Sequence, residues 1–131
     1  MAKYQPFTLA ETARRIQEIG HGDLRDFWVG IGDFLDDWYA ADRETRKEML
    51  RQEPRKTGDR RFDAYLAALA EHLVVTNGLP VPGWAGKPER FLDQFWFPTE
   101  FRSLHAMALV QSPAAFRRRG IFVDETAFMR F

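Results

Sequence analysis

The sequence contains no cysteine among its 131 residues. This absence excludes disulfide bonds, thiolate nucleophiles, and zinc or iron–sulfur sites held by sulfur. The length is typical of one domain, and a chain of this size can bury a hydrophobic core without covalent or metal cross-links.

The sequence also lacks an excess of either charge, since 19 Lys and Arg balance 19 Asp and Glu. A balanced chain carries no overall electrostatic signature of nucleic-acid or membrane binding. Long hydrophobic runs are missing too, because stretches such as 106–110 are far shorter than the roughly 20 residues of a membrane span. Residues 1–7 have no apolar signal-peptide core, which favours a cytoplasmic protein. These residues are expected to form a loose segment.

Aromatic residues, by contrast, are abundant, with 12 Phe, 4 Trp and 3 Tyr making up 15% of the chain. This content excludes an intrinsically disordered chain. Apolar residues recur at spacings of three and four, and only 121–123 has a strand-like pattern, which is too short for a sheet. We therefore predict an all-α fold, a single compact domain over 1–131 with six or seven helices.

Capping signals place the predicted helices along the chain. Thr8 and Glu11 form a capping box for a helix that Gly20 ends, and a long amphipathic helix follows from Asp23 to about Ala41. A third helix is predicted from Asp42 to Pro54, and a fourth from Asp59 to Asn77-Gly78. Two further helices are predicted to start at Pro88 and at Thr99; the first carries Phe95 and the second has Leu109 inward. The last predicted helix starts at Ser112-Pro113 and ends at Gly120.

A Pro- and Gly-rich segment, 79–87, is the nearest feature to a domain boundary. It contains Trp84, a side chain that needs a pocket. We therefore predict a packed connecting loop within one domain.

An acidic stripe runs along the long helix opposite its aromatic face, and it consists of Asp26, Asp33 and Asp37. A solvated face explains this stripe most simply, and a docking surface for a basic partner is the functional alternative. Gly30 and Gly32 lie in the same helix and cost about 1 kcal/mol each relative to Ala. Close approach by another helix or by a partner would justify that cost.

One basic cluster is present, Arg117-Arg118-Arg119. Arginine complements the dipole in the last turn of a helix, and Gly120 places the triplet in such a turn. The functional alternative is contact with phosphates or with an acidic protein surface. A helix-turn-helix outline over 8–41 is a poor DNA reader, because its second helix would expose the acidic stripe to phosphates.

Signals for enzyme chemistry are weak. The three histidines show no metal-ligand spacing, neither serine lies in a nucleophile elbow, and no phosphate-binding glycine pattern occurs. We therefore expect no catalytic residue, no cofactor and no metal. The aromatic segment 81–101 is either core or a ligand pocket, and Glu71, His72 and His105 are the polar groups that such a pocket could use.

Several blocks of the second half carry a resemblance to a known group: Arg61-Phe-Asp-Ala-Tyr-Leu-Ala-Ala-Leu-Ala-Glu-His72, Gly78-Leu-Pro-Val-Pro-Gly-Trp84, Arg90-Phe-Leu92, Phe95-Trp-Phe97 and Ser112-Pro-Ala-Ala-Phe-Arg-Arg-Arg-Gly-Ile-Phe122. Over roughly 30–131 the chain resembles small, largely actinobacterial proteins that tend to be encoded beside nucleotidyltransferase-like toxins. The resemblance implies an antitoxin-like protein with a partner protein, and it supplies no binding residues.

The leading hypothesis is therefore a non-enzymatic interaction module that neutralises a neighbouring toxin by direct binding. Charged contacts are predicted at Asp26, Asp33 and Asp37, or at Arg117, Arg118 and Arg119. The alternatives are a small DNA-binding regulator that uses the arginine cluster, and a small-molecule-binding helical domain built around the aromatic segment.

Overall fold

The computed structural model describes residues 5–19, 24–98 and 104–128. Six α-helices lie in these ranges, and no strand longer than an isolated bridge does, so the predicted all-α class is confirmed. The chain divides into two compact units, Met1–Gly58 and Asp59–Met129. The single domain over 1–131 stays a prediction.

The first unit consists of three helices, α1 (Leu9–Ile19), α2 (Leu24–Ala40) and α3 (Arg43–Arg51). The capping box is confirmed, because the Glu11 N–H donates to Thr8 Oγ1 at 3.1 Å and the Thr8 N–H donates to Glu11 Oε1 at 3.3 Å. Asp42 caps α3 as predicted, with Oδ1 accepting from the Thr45 N–H at 2.8 Å. The predicted end of the first helix at Gly20 and the predicted start of the second at Asp23 lie outside the described residues.

Gly30 shows why α2 carries a glycine in its interior. A Cβ built there would lie 3.3 Å from Ile16 Cγ1 of α1, and both residues are buried. Of the two explanations for this glycine, close approach by another helix is therefore the one that the structure supports. Gly30 packs within the unit and offers no surface to a partner.

The second unit is built around α4 (Arg60–Thr76). Asp59 caps α4, and the helix ends at Asn77 and Gly78, whose φ of 67° suits glycine. Nearly the whole length of α4 is buried, which is typical of a helix covered on more than one face. Around it lie a 3-10 turn (Gly83–Gly86), a second one (Pro88–Arg90), α5 (His105–Gln111), α6 (Ala114–Arg117) and a last 3-10 turn (Glu125–Phe128).

The Pro- and Gly-rich loop packs within the second unit, as predicted. Trp84 is buried, and the guanidinium of Arg90 lies 5.1 Å from the centre of its ring. Arg90 is itself buried and donates from Nη1 to the Asp63 carbonyl at 3.1 Å. Trp84 contacts Arg90, and Arg90 binds the main chain of α4, so the two side chains hold this loop against α4.

Three expectations for the second unit are wrong. The helix predicted from Pro88 is only one 3-10 turn, because Leu92 and Trp96 direct their N–H groups to carbonyls of 119–120 instead of to a helical neighbour. Leu109 is exposed and not inward. Ser112 does not cap α6, because its hydroxyl binds residues 121 and 123. The predicted cap at Thr99 lies outside the described residues.

Candidate interaction surface

The three aspartates of the acidic stripe lie in different environments. Asp37 is buried, and its Oδ2 accepts a hydrogen bond from the Phe7 N–H at 2.7 Å. Asp33 Oδ2 forms an ion pair with Arg15 of α1 at 3.0 Å, and Asp26 is half-buried. The solvated-face interpretation is therefore wrong for Asp37, and the role of the stripe in partner binding stays a prediction.

The contacts of Asp33 and Asp37 hold α1, and Phe7 just before it, against α2. Arg15 also lies 4.4 Å from the centre of the Phe7 ring, so this ring and its N–H are both bound. The expectation of a loose segment over 1–7 is not met at Phe7, and residues 1–4 lie outside the described residues. Both carboxylates thus have a structural role within the first unit.

The three residues of the arginine triplet also lie in different environments. Arg117 is exposed, and its Nη2 donates to the carbonyls of Leu109, Val110 and Ser112 at 3.0, 3.1 and 3.3 Å. The last carbonyls of a helix have no partner within the helix, so this guanidinium caps α5. Arg117 lies in the last turn of α6, as predicted, and its guanidinium also caps the preceding helix.

Arg119, in contrast, is fully buried. It donates to the carbonyls of Ala115 and Ala85, both at 2.7 Å, and to Glu71 Oε1 at 3.2 Å. The ring of Phe91 covers it at 4.6 Å. Arg119 thus ties α6 and a 3-10 turn to α4, and it is not accessible to a partner.

Glu71 is the acidic partner of this arginine pair. Arg118 donates to the same Oε1, and its side chain is 56% exposed. Burial lowers the pKa of Arg119, while the hydrogen bond and the charge of Glu71 raise it. Glu71 is therefore committed to neutralising a buried guanidinium, and it is not a free polar group of a ligand pocket.

The two histidines that the structure describes both stack against aromatic rings. His72 packs on Phe116 and Phe128, with ring centres 6.0 and 4.6 Å apart, and burial lowers its pKa. His105 stacks on Phe97 at 4.3 Å. His21 lies outside the described residues, and within the described ranges no group of three His, Cys, Asp or Glu could hold a metal ion.

Residues 95–97 lie beside residues 120–122 and are joined to them by a single β-bridge, and we call this pair of segments the ribbon. The Trp96 N–H donates to the Gly120 carbonyl at 2.8 Å, and the Phe122 N–H donates to the Trp96 carbonyl at 3.0 Å. This is the pattern of a parallel bridge between Trp96 and Ile121. The Trp96 ring packs on Phe62 and Tyr65 of α4, so this face of the ribbon belongs to the core.

The other face of the ribbon carries a row of aromatic rings in contact, of which the Phe95–Phe122 pair is edge-to-face and the others are stacked. Phe122 lies between Phe95 and Phe97, with ring centres 5.0 and 5.3 Å away. Phe97 then stacks on His105, the first residue of α5. Phe95, at one end of this row, is 75% exposed. The row therefore leads from an exposed aromatic side chain to α5.

An exposed apolar surface continues along α5. Only Ala108 of this helix is buried, whereas Met107, Leu109 and Val110 are exposed, the last at 80%. We call Phe95 together with these three residues the apolar patch. The guanidinium of Arg117 borders it, because it binds the carbonyls of Leu109 and Val110.

Sequence reasoning missed the apolar patch, because it placed Leu109 inward, assigned Phe95 to a segment that is either core or a ligand pocket, and singled out neither Met107 nor Val110. The sequence of the short helix 105–111 did contain a signal for this exposure. Two of its apolar residues, Ala106 and Ala108, are small, so a face formed by alanine would bury little apolar volume and leave the larger residues outside. Only the packing shows that Ala108 alone points inward.

Comparison with known proteins adds no functional assignment: no family model, no curated protein and no solved structure matches this chain. Among the helices of the described ranges, none has the length and apolar character that crossing a membrane requires.

Proposed function

We propose that this chain is a non-enzymatic, cytoplasmic interaction module that binds and neutralises a toxin encoded next to it. The observation that carries the proposal is the apolar patch. Three of its large apolar side chains are exposed on one short helix, and the fourth is exposed at the end of the ring row that leads to this helix. Exposed apolar surface of this kind marks protein-binding sites, because leaving it in water is unfavourable. Val110, with 80% of its surface in solvent, has the most to gain from a partner.

Exposure separates the predicted charged residues that can reach a partner from those that cannot. Asp37 and Arg119 are buried, and Asp33 forms an ion pair with Arg15. Arg117 and Arg118 also bind groups of the protein, but their side chains are exposed. An apolar centre with a charged rim is the usual arrangement of a protein interface, in which the rim sets orientation and association rate. We therefore assign Arg117 and Arg118 to the rim, and we expect an acidic surface on the partner.

The identity of the partner rests on the resemblance to antitoxin-like proteins. A nucleotidyltransferase-like enzyme encoded by the adjacent gene is the proposed target, and occlusion of its active site is the proposed mode of neutralisation. Both statements require direct binding, which a single mutation in the apolar patch can test.

The test compares Val110→Asp with Val75→Asp. Both valines are exposed and lie in the last turn of a helix, so the added carboxylate has a similar effect on each helix end. We expect Val110→Asp to weaken binding to the purified product of the adjacent gene by about tenfold or more, measured by calorimetry, because a central apolar contact is lost. Val75→Asp should bind like the wild type.

Growth on co-expression provides the second readout. The wild type and Val75→Asp should rescue cells from the neighbouring product, and Val110→Asp should not. Failure of the wild type to bind this product would refute the proposal. Salt-dependent binding of the chain alone to its own promoter would support the DNA-binding alternative instead.

A further inference from the structure

We propose that the open edge of residues 95–97 binds an extended segment of the partner protein by β-strand addition. This inference rests on the proposed function, namely that the chain binds another protein, and it names the mode of binding. The edge is defined by the main-chain groups of Phe95 and Phe97, which alternate with those of Trp96.

The alternation follows from the geometry of an extended chain. Successive residues direct their N–H and carbonyl groups to opposite edges of a strand. The N–H and the carbonyl of Trp96 both form hydrogen bonds with main-chain groups of residues 120–122. Phe95 and Phe97 therefore direct theirs away from the ribbon, and within the described ranges these groups make no hydrogen bond.

The opposite edge of the ribbon is closed. The Ile121 N–H donates to the Phe116 carbonyl at 3.0 Å, and the Ser112 hydroxyl donates to the Ile121 carbonyl at 3.0 Å. The same hydroxyl accepts from the Val123 N–H at 3.3 Å. The fold thus satisfies one edge with a side chain and a helix end, and within residues 5–19, 24–98 and 104–128 nothing pairs with the other edge.

An extended main chain is the occupant that fits this edge, because only a second strand offers donors and acceptors at the same repeat. Its side chains would lie beside Phe95, which is exposed at the end of the ring row. Arg117 and Arg118 are exposed and precede Gly120, whose carbonyl binds the Trp96 N–H, by three and two positions. Their positive charge favours a segment that carries carboxylates.

The edge is short, because Pro98 follows and has no N–H to donate. A few main-chain hydrogen bonds add little net affinity, because each replaces a hydrogen bond to water, so they cannot provide tight binding alone. The edge therefore sets the register of the bound segment, and the apolar patch supplies most of the affinity.

Amide hydrogen exchange measured by NMR tests this mode directly, with the purified product of the adjacent gene as the probe. In the free chain, the Trp96 amide should be protected, and the Phe95 and Phe97 amides should exchange quickly. On complex formation the latter two should slow by about tenfold or more. Trp96, already bonded to Gly120, is the internal control.

A pair of variants gives an independent measurement. Phe95→Pro and Phe95→Ala both remove the exposed ring, but only proline also removes the N–H. We expect Phe95→Pro to bind more weakly than Phe95→Ala by about fivefold or more, with equal thermal stability of the two. If Phe95→Pro fails to fold, the exchange experiment on the wild type decides.

The outcomes separate the two proposals. A complex in which the Phe95 and Phe97 amides still exchange quickly would overturn strand addition and leave the proposed function standing. No complex would overturn both. Protection that rises with the concentration of the isolated chain would show that a second copy occupies the edge, and would also overturn binding of a partner segment there.

Discussion

The fully buried guanidinium of Arg119 lies 3.2 Å from the carboxylate of Glu71, to which the exposed Arg118 also donates. A carboxylate that neutralises a buried cation cannot be removed without leaving an uncompensated charge in the core. The stability of the second unit therefore depends on the charge of Glu71.

Glu71→Gln should therefore lower the free energy of unfolding by about 3 kcal/mol, because the buried Arg119 loses its counter-charge while the shape of the side chain is kept. Urea denaturation measures this change. Glu48→Gln, which breaks an exposed pair with Arg51, should change stability by less than about 0.5 kcal/mol. Equal stability of the two variants would contradict the structural role of Glu71.

His72 should make stability depend on pH. Burial lowers its pKa in the folded state below the ordinary value of 6.5, so the unfolded chain binds protons more readily. Stability should consequently be complete above pH 6.5 and fall as the pH is lowered from there to the folded pKa. His72→Leu should reduce this slope, measured as the thermal midpoint at several pH values. An unchanged slope in the variant would exclude His72 as its cause.

Gly30→Leu should destabilise the first unit by about 1–3 kcal/mol, because its side chain would have to displace Ile16 between two packed helices. Ala40→Leu places the same side chain at an exposed position near the end of α2 and should be nearly neutral. Thermal unfolding of both variants checks the difference. A stabilised Gly30→Leu would show that α1 can move away freely.

Ser112→Ala should cost about 1–3 kcal/mol, because it leaves the Ile121 carbonyl and the Val123 N–H without the hydroxyl that binds them. Thr76→Ala removes a hydroxyl that is exposed at the end of α4 and should change stability by less than about 0.5 kcal/mol. Denaturant midpoints compare the two. A neutral Ser112→Ala would contradict its role in closing the ribbon edge.

Helix boundaries were predicted well wherever a local hydrogen bond defines them. Thr8, Asp42 and Asp59 accept backbone N–H groups within three residues, and Asn77-Gly78 ends α4 by its own conformation. Such signals can be read from spacing alone. The prediction failed over 88–97, where the backbone instead bonds to residues 119–122.

The candidate surface was less accessible to prediction. The charged clusters were recognised, but pattern alone could not distinguish the buried Arg119 from the exposed Arg118 beside it. Leu109 was expected to be core, because an apolar residue at helical spacing usually is. Its exposure depends on what packs against α5.

Composition and local spacing thus established an all-α, cysteine-free chain with capped helices, because these properties depend on residue types and on neighbours within one turn. Long-range packing assigned each charge its role. Arg119 meets Glu71 across 48 positions and Asp37 meets Phe7 across 30, and no short-range pattern encodes such distances. For that reason, only the folded chain shows which arginines reach solvent, which edge of the ribbon stays open, and that α5 presents its larger apolar side chains outward.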